Sequence, residues 1–405
     1  MDHLIASHRN RPTDDPIFSL DREAQERAKK GEAVINATIG VLLADDGKLS
    51  LMPTVNKLLK EIPETEWSAY APIAGLAPYT QAVCDDLFAE LPALRPWAVA
   101  AATPGGSGAL RHAIANYLEP GQALLTTSSY WAPYGTLADE SDRKVETFNT
   151  FASDGTFDLA ALDQAIAKQI GSQGRVLLFL NDPCHNPSGY SLSDAEYGEL
   201  TKILVKHGAT APVTVLIDAA YAVYAADGAR PLRHLGAIAD TIQVLVAWSA
   251  SKTFALYGMR VGAIVGLVPD EKKRIATQAA FSYSCRGTWS NCNRGGQTLV
   301  AKVLASPELH AAVKTERAEL VANLDRRVAL FNEHAKKAGL RYPRYDGGFF
   351  VSVFDENPKA RGAQMRAEGV FVVPQATSLR IALCAVRASD IPRLVEAFAR
   401  PLQAS

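Results

Sequence analysis

Net charge is nearly absent from this chain: 42 Lys and Arg oppose 43 Asp and Glu, leaving -1 over 405 residues. A chain so balanced has no overall electrostatic reason to seek nucleic acid or an anionic membrane surface. Cysteine is sparse, with five residues at positions 84, 184, 285, 292 and 384. The number is odd, the positions are scattered and no pair has zinc-ligand spacing, so neither a disulfide framework nor a metal site is expected. Thiols of this kind suit a reducing cytosol. Long apolar runs are missing too, because Asp218 and Arg260 interrupt the two stretches that come nearest to membrane-spanning length. The opening residues, MDHLIASHRNRPTDDP, contain no apolar segment of the signal-peptide kind. Repeats, low-complexity tracts and Gly/Ser linkers are also lacking. These absences predict a soluble, cytoplasmic protein whose partners are small molecules or further copies of itself, with no nucleic acid and no membrane.

What the chain does have is a globular composition, 48% apolar and 21% charged, and more length than one ordinary domain needs. Continuously apolar or β-branched runs at 99–103, 123–127, 176–180, 213–217, 244–247 and 261–266 read as strands covered on both faces. Amphipathic stretches near 108–118, 158–169 and 193–206 lie between them, and this alternation predicts an α/β domain with a largely parallel sheet. The texture changes at Ser306-Pro307, an N-cap followed by proline in the first helical turn. Leu309, Val313, Leu320, Leu324, Val328 and Phe331 then recur at helical spacing until Gly339, predicting one long helix. The strand-like FFVSVF and SLRIALCAV follow, with a last helix around 389–400, as in a smaller α+β domain. The expected division is 49–318 for the large domain and 1–48 together with 319–405 for the small one.

Four motifs fall at the predicted ends of strands in the large domain, where open α/β sheets bind ligands. Thr103-Pro104-Gly105-Gly106-Ser107-Gly108 opens a helix, offering free backbone N–H groups and a hydroxyl to a phosphate, although a plain strand-to-helix turn reads the same way. The segment from Asn181 to Gly189, NDPCHNPSG, is rich in turn formers yet carries His185 and Asn186 beside them. Asp218 ends an apolar strand and is followed by Tyr221; it is either a helix N-cap or a carboxylate that needs a cationic partner. Ser249-Ala250-Ser251-Lys252 ends another strand, with Arg260 following. A lysine there suits Schiff-base chemistry, and Ser249, Ser251 and Arg260 suit an anion beside it. Together these side chains form the set that pyridoxal 5′-phosphate requires: a phosphate cradle, a lysine for its aldehyde, a carboxylate for its ring nitrogen, and donors for its phenolic oxygen.

With these motifs in this order the chain resembles the fold-type I, class I aminotransferases, in the aspartate/aromatic branch. PGGSGALR, CHNPSG, DAAY and SASK with LYGMRVG look like the family's cofactor segments, and the likeness runs from about Ile39-Gly40-Val41 to Arg380. The resemblance implies a pyridoxal-phosphate-dependent transaminase with Lys252 as Schiff-base lysine, Asp218 on the ring nitrogen, and Tyr221 and Asn186 on the phenolic oxygen. Gly106, Ser107, Ser249 and Arg260 would hold the phosphate. It further implies a homodimer with shared sites, Tyr70 reaching the neighbouring subunit's phosphate and Arg286 its substrate's distal carboxylate. Gly40 and Arg380 would bind substrate, Arg380 at the α-carboxylate. For the aromatic on the cofactor ring, register favours Tyr130, with Trp131 left open. The chain departs from the family in the apolar Ile39–Leu43 segment (residues 39–43), in Trp289 and in Ser188 for threonine. The implied reaction moves an amino group between an L-amino acid, aromatic or dicarboxylic, and a 2-oxo acid such as 2-oxoglutarate by ping-pong exchange. A β-lyase or decarboxylase would use the same cofactor motifs; a cofactor-sensing regulator lacks support without a basic helix-turn-helix module.

Overall fold

The computed structural model describes residues 3–9 and 11–402. Twelve strands occur among them: β1 (Ile35–Asn36), β2 (Ala98–Pro104), β3 (Ala123–Thr127), β4 (Lys144–Phe148), β5 (Val176–Leu180), β6 (Val213–Asp218), β7 (Gln243–Ser249), β8 (Val261–Leu267), β9 (Phe350–Phe354), β10 (Val370–Phe371), β11 (Val373–Pro374) and β12 (Ser378–Ala382). They belong to two compact units. The larger comprises residues 50–325 and 343–348; the smaller comprises the described residues up to 49, then 326–342 and those from 349 on.

In the larger unit seven strands form one sheet in the order β2-β8-β7-β6-β5-β3-β4. All run parallel except β8, which is antiparallel to both β2 and β7. Strands β3, β5, β6 and β8 are buried along their whole length, which is why they read as unbroken apolar runs and not as alternation. Helices cover the sheet. Gly105–Tyr117 follows β2, Leu159–Gln173 precedes β5 and Asp194–Gly208 precedes β6. The last begins at a capping box in which Ser193 accepts the Glu196 N–H while the Glu196 carboxylate accepts the Ser193 N–H, joining β5 to its helix with defined geometry. The reversed direction of β8 matters for the site. It brings Val261 opposite Pro104 and Gly262 opposite Ser249, so Arg260, just before β8, arrives at the carboxyl ends of β2 and β7.

The smaller unit has a three-stranded antiparallel sheet, β11-β12-β9, and a parallel pair of β1 with β10. The long helix forms over Pro307–Lys337, as its spacing predicts. The chain passes between the two units at 49/50 and 325/326, beside the expected domain bounds of 48/49 and 318/319. Residues 343–348 return to the larger unit for a local reason. The Arg344 guanidinium lies 4.5 Å from the Tyr190 ring centre, and Gly348 (φ +88°) packs so closely on Cys184 that an added Cβ would sit 2.4 Å from the Cys184 Cβ.

Candidate active site

The carboxyl edge of the larger sheet holds a cavity of about 190 Å³ lined by Gly106, Ser107, Leu110, Trp131, Asn181, Asn186, Asp218, Ala220, Tyr221, Ser249, Ser251, Lys252 and Arg260. A roomier hollow of about 620 Å³ opens at the other end of the strands, near Val176, Val213 and Gln243. It contains no comparable convergence of lysine, buried carboxylate and amide, so chemistry and not volume singles out the smaller one.

Lys252 stands in the single turn Ala250–Thr253 after β7, and its Nζ lies 5.6 Å from the ring centres of both Tyr221 and Tyr257. Asp218 ends β6, paired in register with Ala247. It is 6% exposed, and its two oxygens accept from different donors, Oδ2 from the Tyr134 hydroxyl at 2.7 Å and Oδ1 from the Ala220 N–H at 3.3 Å. Burial is the strongest influence on this carboxyl and raises it above the ordinary carboxylate range; the Tyr134 hydroxyl, the Ala220 N–H and the Lys252 charge oppose that shift. Asn181 ties two strand ends together, donating to the Asp218 carbonyl at 2.9 Å and accepting the Asn186 N–H at 2.6 Å. The Asn186 side-chain oxygen is buried without a protein partner.

The anion end is built on backbone. Helix Gly105–Tyr117 starts at the rim, so its first N–H groups and its dipole point at the cavity. Gly105 has φ +70°, and a Cβ there would come within 2.5 Å of Arg260 Nη2; only glycine lets the guanidinium lie against the turn. Arg260 itself is left-handed at φ +53° and donates to the Tyr257 carbonyl at 3.0 Å and to Ser251 Oγ at 3.4 Å. A non-glycine residue held in that conformation marks a position where local structure is subordinated to the placing of a side chain.

Of the residues expected from the sequence, Gly106, Ser107, Asn186, Asp218, Tyr221, Ser249, Lys252 and Arg260 all line this cavity. Tyr130, favoured by register, is not among the lining residues. Trp131 lines the cavity, while Tyr130 lies near-parallel to Tyr134, with ring centres 6.1 Å apart. The chain turns at this point, Tyr134 N–H donating to the Trp131 carbonyl as helix Pro133–Asp139 begins, which swings the two neighbours apart. Tyr70 and Arg286 are exposed, away from the cavity lining of their own chain; Tyr70 is 87% exposed, and Arg286 donates to Ser290 Oγ at 2.6 Å. His185 is a structural residue, bonded to Ser188 and Thr127, and burial pushes it down to about 4, so it stays neutral. Tyr134 and Asn181 were not singled out by sequence reasoning. Asn181 lay inside a quoted motif, whereas Tyr134 had no distinguishing signal.

The smaller unit gathers the other expected residues. Arg380 on β12 is 6% exposed, donates to the Thr38 carbonyl at 2.7 Å and lies 4.7 Å from the Phe350 ring centre. Gly40 sits against the same ring, where a Cβ would be 2.4 Å from Phe350 Cζ.

A lysine beside a buried carboxylate, an amide with an unmet acceptor and a glycine-started helix with an arginine on its first turn define a pyridoxal-phosphate enzyme, and the residues present fit that group. Residues 32–398 match the family described as aminotransferase class I and II, and the chain belongs to that family. It is 29% identical over 305 residues to an aromatic-amino-acid aminotransferase of Paracoccus denitrificans, covering 73% of this chain and 74% of the relative. It is 28% identical over 337 residues to an aspartate aminotransferase of Escherichia coli, covering 80% and 82%. The crystal structure of an aminotransferase from Anaerococcus prevotii superposes with a TM-score of 0.93 at 32% identity, covering 98% of this chain and 99% of that one. At 24% identity the likeness is one of fold alone to an aromatic-amino-acid aminotransferase of Burkholderia pseudomallei covalently bound to pyridoxal phosphate, with a TM-score of 0.83. The family is pyridoxal-phosphate-dependent, and this chain is a transaminase of that kind.

Proposed function

We propose that this transaminase exchanges amino groups between aromatic and dicarboxylic L-amino acids and 2-oxo acids such as 2-oxoglutarate, with Lys252 as its catalytic lysine. The observation that carries the reading is the convergence of Lys252, Asp218, Asn186 and Tyr221 on one cavity at the carboxyl edge of the sheet. When bound, pyridoxal phosphate supplies a carbonyl carbon for amino groups and a pyridine ring that takes up the electron pair released at the substrate Cα. Asp218 would hold a proton on the ring nitrogen, and Asn186 and Tyr221 would donate to the phenolic oxygen. Gly106, Ser107, Ser249 and Arg260 would hold the phosphate, and Trp131, not Tyr130, would cover the ring face. Lys252, once released by the incoming amino group, would carry the proton away from Cα and return it.

Substrate recognition would fall to Arg380, whose planar guanidinium matches an α-carboxylate bidentately, with Gly40 beside it. Tyr70 and Arg286 would serve the cavity of a second copy, Arg286 at a distal carboxylate. Their exposure supports this, as does the company of other exposed apolar side chains on the same unit, Trp67 at 56% and Tyr283 at 83%. We assign cofactor binding to the larger domain, expected from the sequence at 49–318. All five cysteines are buried and none is in a disulfide, which supports a cytoplasmic setting, and among the described residues no helix is long and apolar enough to cross a membrane. The relatives named for aspartate and for aromatic amino acids support the dual preference. The test is a spectrophotometric screen of amino donors with 2-oxoglutarate as acceptor. Turnover of both aspartate and phenylalanine is expected, and activity with neither class would overturn the substrate reading.

A further inference from the structure

Tyr134 is 1% exposed, and its hydroxyl donates to Asp218 Oδ2 at 2.7 Å. Its ring is enclosed by aromatic neighbours. Phe179 from β5 meets it edge-on at 5.2 Å, and Trp131, which lines the cavity, stands at 88° to it at 5.8 Å. One side chain therefore touches both the carboxylate assigned to the ring nitrogen and the indole assigned to the ring face.

We propose that Tyr134 is a positioning residue for the cofactor ring, its hydroxyl orienting the Asp218 carboxylate toward the ring nitrogen and its ring bracing Trp131. The proposal rests on the reading of Asp218 given above. A phenol is suited to this task for a definite reason. Burial, with the Asp218 charge beside it, pushes Tyr134 well above the ordinary tyrosine range, so it remains a donor and carries no charge. A cationic donor would orient the carboxylate but also draw off part of the field meant for the pyridinium; a neutral one fixes geometry and leaves the charge intact. Among the influences that hold Asp218 ionised, the Tyr134 hydroxyl comes first, ahead of the Ala220 N–H and the Lys252 charge. The placement follows from the fold, since helix Pro133–Asp139 begins just past the carboxyl end of β3 and turns its first face toward β5 and β6.

The test compares the affinity of the cofactor-stripped protein for pyridoxal 5′-phosphate and for the analogue whose ring nitrogen is replaced by C–H. A hydrogen bond to a charged group is worth roughly ten- to a hundredfold, so Tyr134→Phe should weaken pyridoxal phosphate binding by about tenfold or more while leaving the analogue unchanged. Tyr134→His, which restores a donor, should recover the preference for the nitrogen-bearing ligand, and it decides the matter if the phenylalanine variant does not fold. Equal losses for the two ligands, or no loss for either, would overturn the proposal, because a residue that merely packs cannot tell the two rings apart. Asp218→Asn is measured alongside. If that variant keeps the preference, the reading of Asp218 fails and takes the proposal with it. If it loses the preference and Tyr134→Phe does not, the proposal alone fails.

Discussion

Gly105→Ala and Gly106→Ala, neighbours in one turn, should fail in different ways. At Gly105 the backbone is left-handed at φ +70°, and the new Cβ would lie 2.5 Å from Arg260 Nη2 and 3.0 Å from its Cζ. The left-handed conformation alone costs an alanine roughly 1–2 kcal/mol. The clash adds to this by pushing the guanidinium off its contacts with Ser251 and the Tyr257 carbonyl. Arg260 is exposed and meets the new Cβ with the far end of a long side chain, so it gives way more readily than backbone would. The expected result is a fall of about 1–2 kcal/mol in stability, with at least a tenfold, or about 1.4 kcal/mol, weaker hold on pyridoxal phosphate. At Gly106 φ is not positive, and the nearest atom to a new Cβ is Ser249 Cβ at 3.6 Å, an ordinary contact. Alanine there should leave the stability of the cofactor-free protein within about 0.5 kcal/mol of native and still weaken cofactor binding, because its methyl group occupies the cavity lining. The assay pairs melting of the stripped protein with titration by pyridoxal phosphate. Native stability in Gly105→Ala, or a large loss of stability in Gly106→Ala, would refute the account of the turn.

Asp218→Asn keeps the shape of the side chain and removes its charge; turnover should fall by at least a hundredfold, about 2.7 kcal/mol, and turnover within threefold of native would contradict its pairing with the ring nitrogen. Arg380→Ala should depress kcat/KM for all donors by about 2–5 kcal/mol, whereas Arg286→Ala should depress it for aspartate and glutamate and spare phenylalanine and tyrosine; equal losses for aspartate and phenylalanine would make Arg286 a structural residue. Mixing Lys252→Ala with Arg286→Ala under subunit exchange should restore aspartate turnover, since one site of each hybrid dimer has both groups intact, and no restoration would argue against shared sites. Asp182 offers a pH test outside the chemistry. Burial pushes its carboxyl from 3.8 up to about 7, against the Leu192 N–H and the Tyr197 hydroxyl. A folded pKa above the unfolded one means that its contribution is full below about pH 4 and is lost as pH rises through about 7. Asp182→Asn should therefore flatten the fall in denaturant midpoint over that window, and an unchanged slope would contradict the assignment.

The strands were legible in the sequence because burial on both faces leaves no polar positions to confuse the pattern. The expected run 213–217 is the observed Val213–Asp218, and 176–180 coincides with β5. Lys252, Asp218 and Asn186 were legible because each sits at the end of such a strand or in the segment that follows it, where chain order already says which edge of the sheet it reaches. Residues placed by short-range turns were harder. Tyr130 and Trp131 differ in which way one turn faces them, and that turn lies at the start of helix Pro133–Asp139. Tyr134 reads as an ordinary core tyrosine until β6 brings Asp218 within 2.7 Å of it. The return of residues 343–348 to the larger unit depends on Arg344 over Tyr190 and Gly348 against Cys184, contacts between distant segments that leave no periodic trace.

The central claim, that Lys252 is the residue joined to the cofactor, is tested most directly by borohydride reduction of the loaded protein followed by peptide mapping. The account predicts that reduction abolishes the visible absorbance and leaves the pyridoxyl group on Lys252, with Lys252→Ala unlabelled and inactive though still able to bind the cofactor non-covalently. A pyridoxyl group on any other lysine of the native protein, or full turnover by Lys252→Ala, would contradict it.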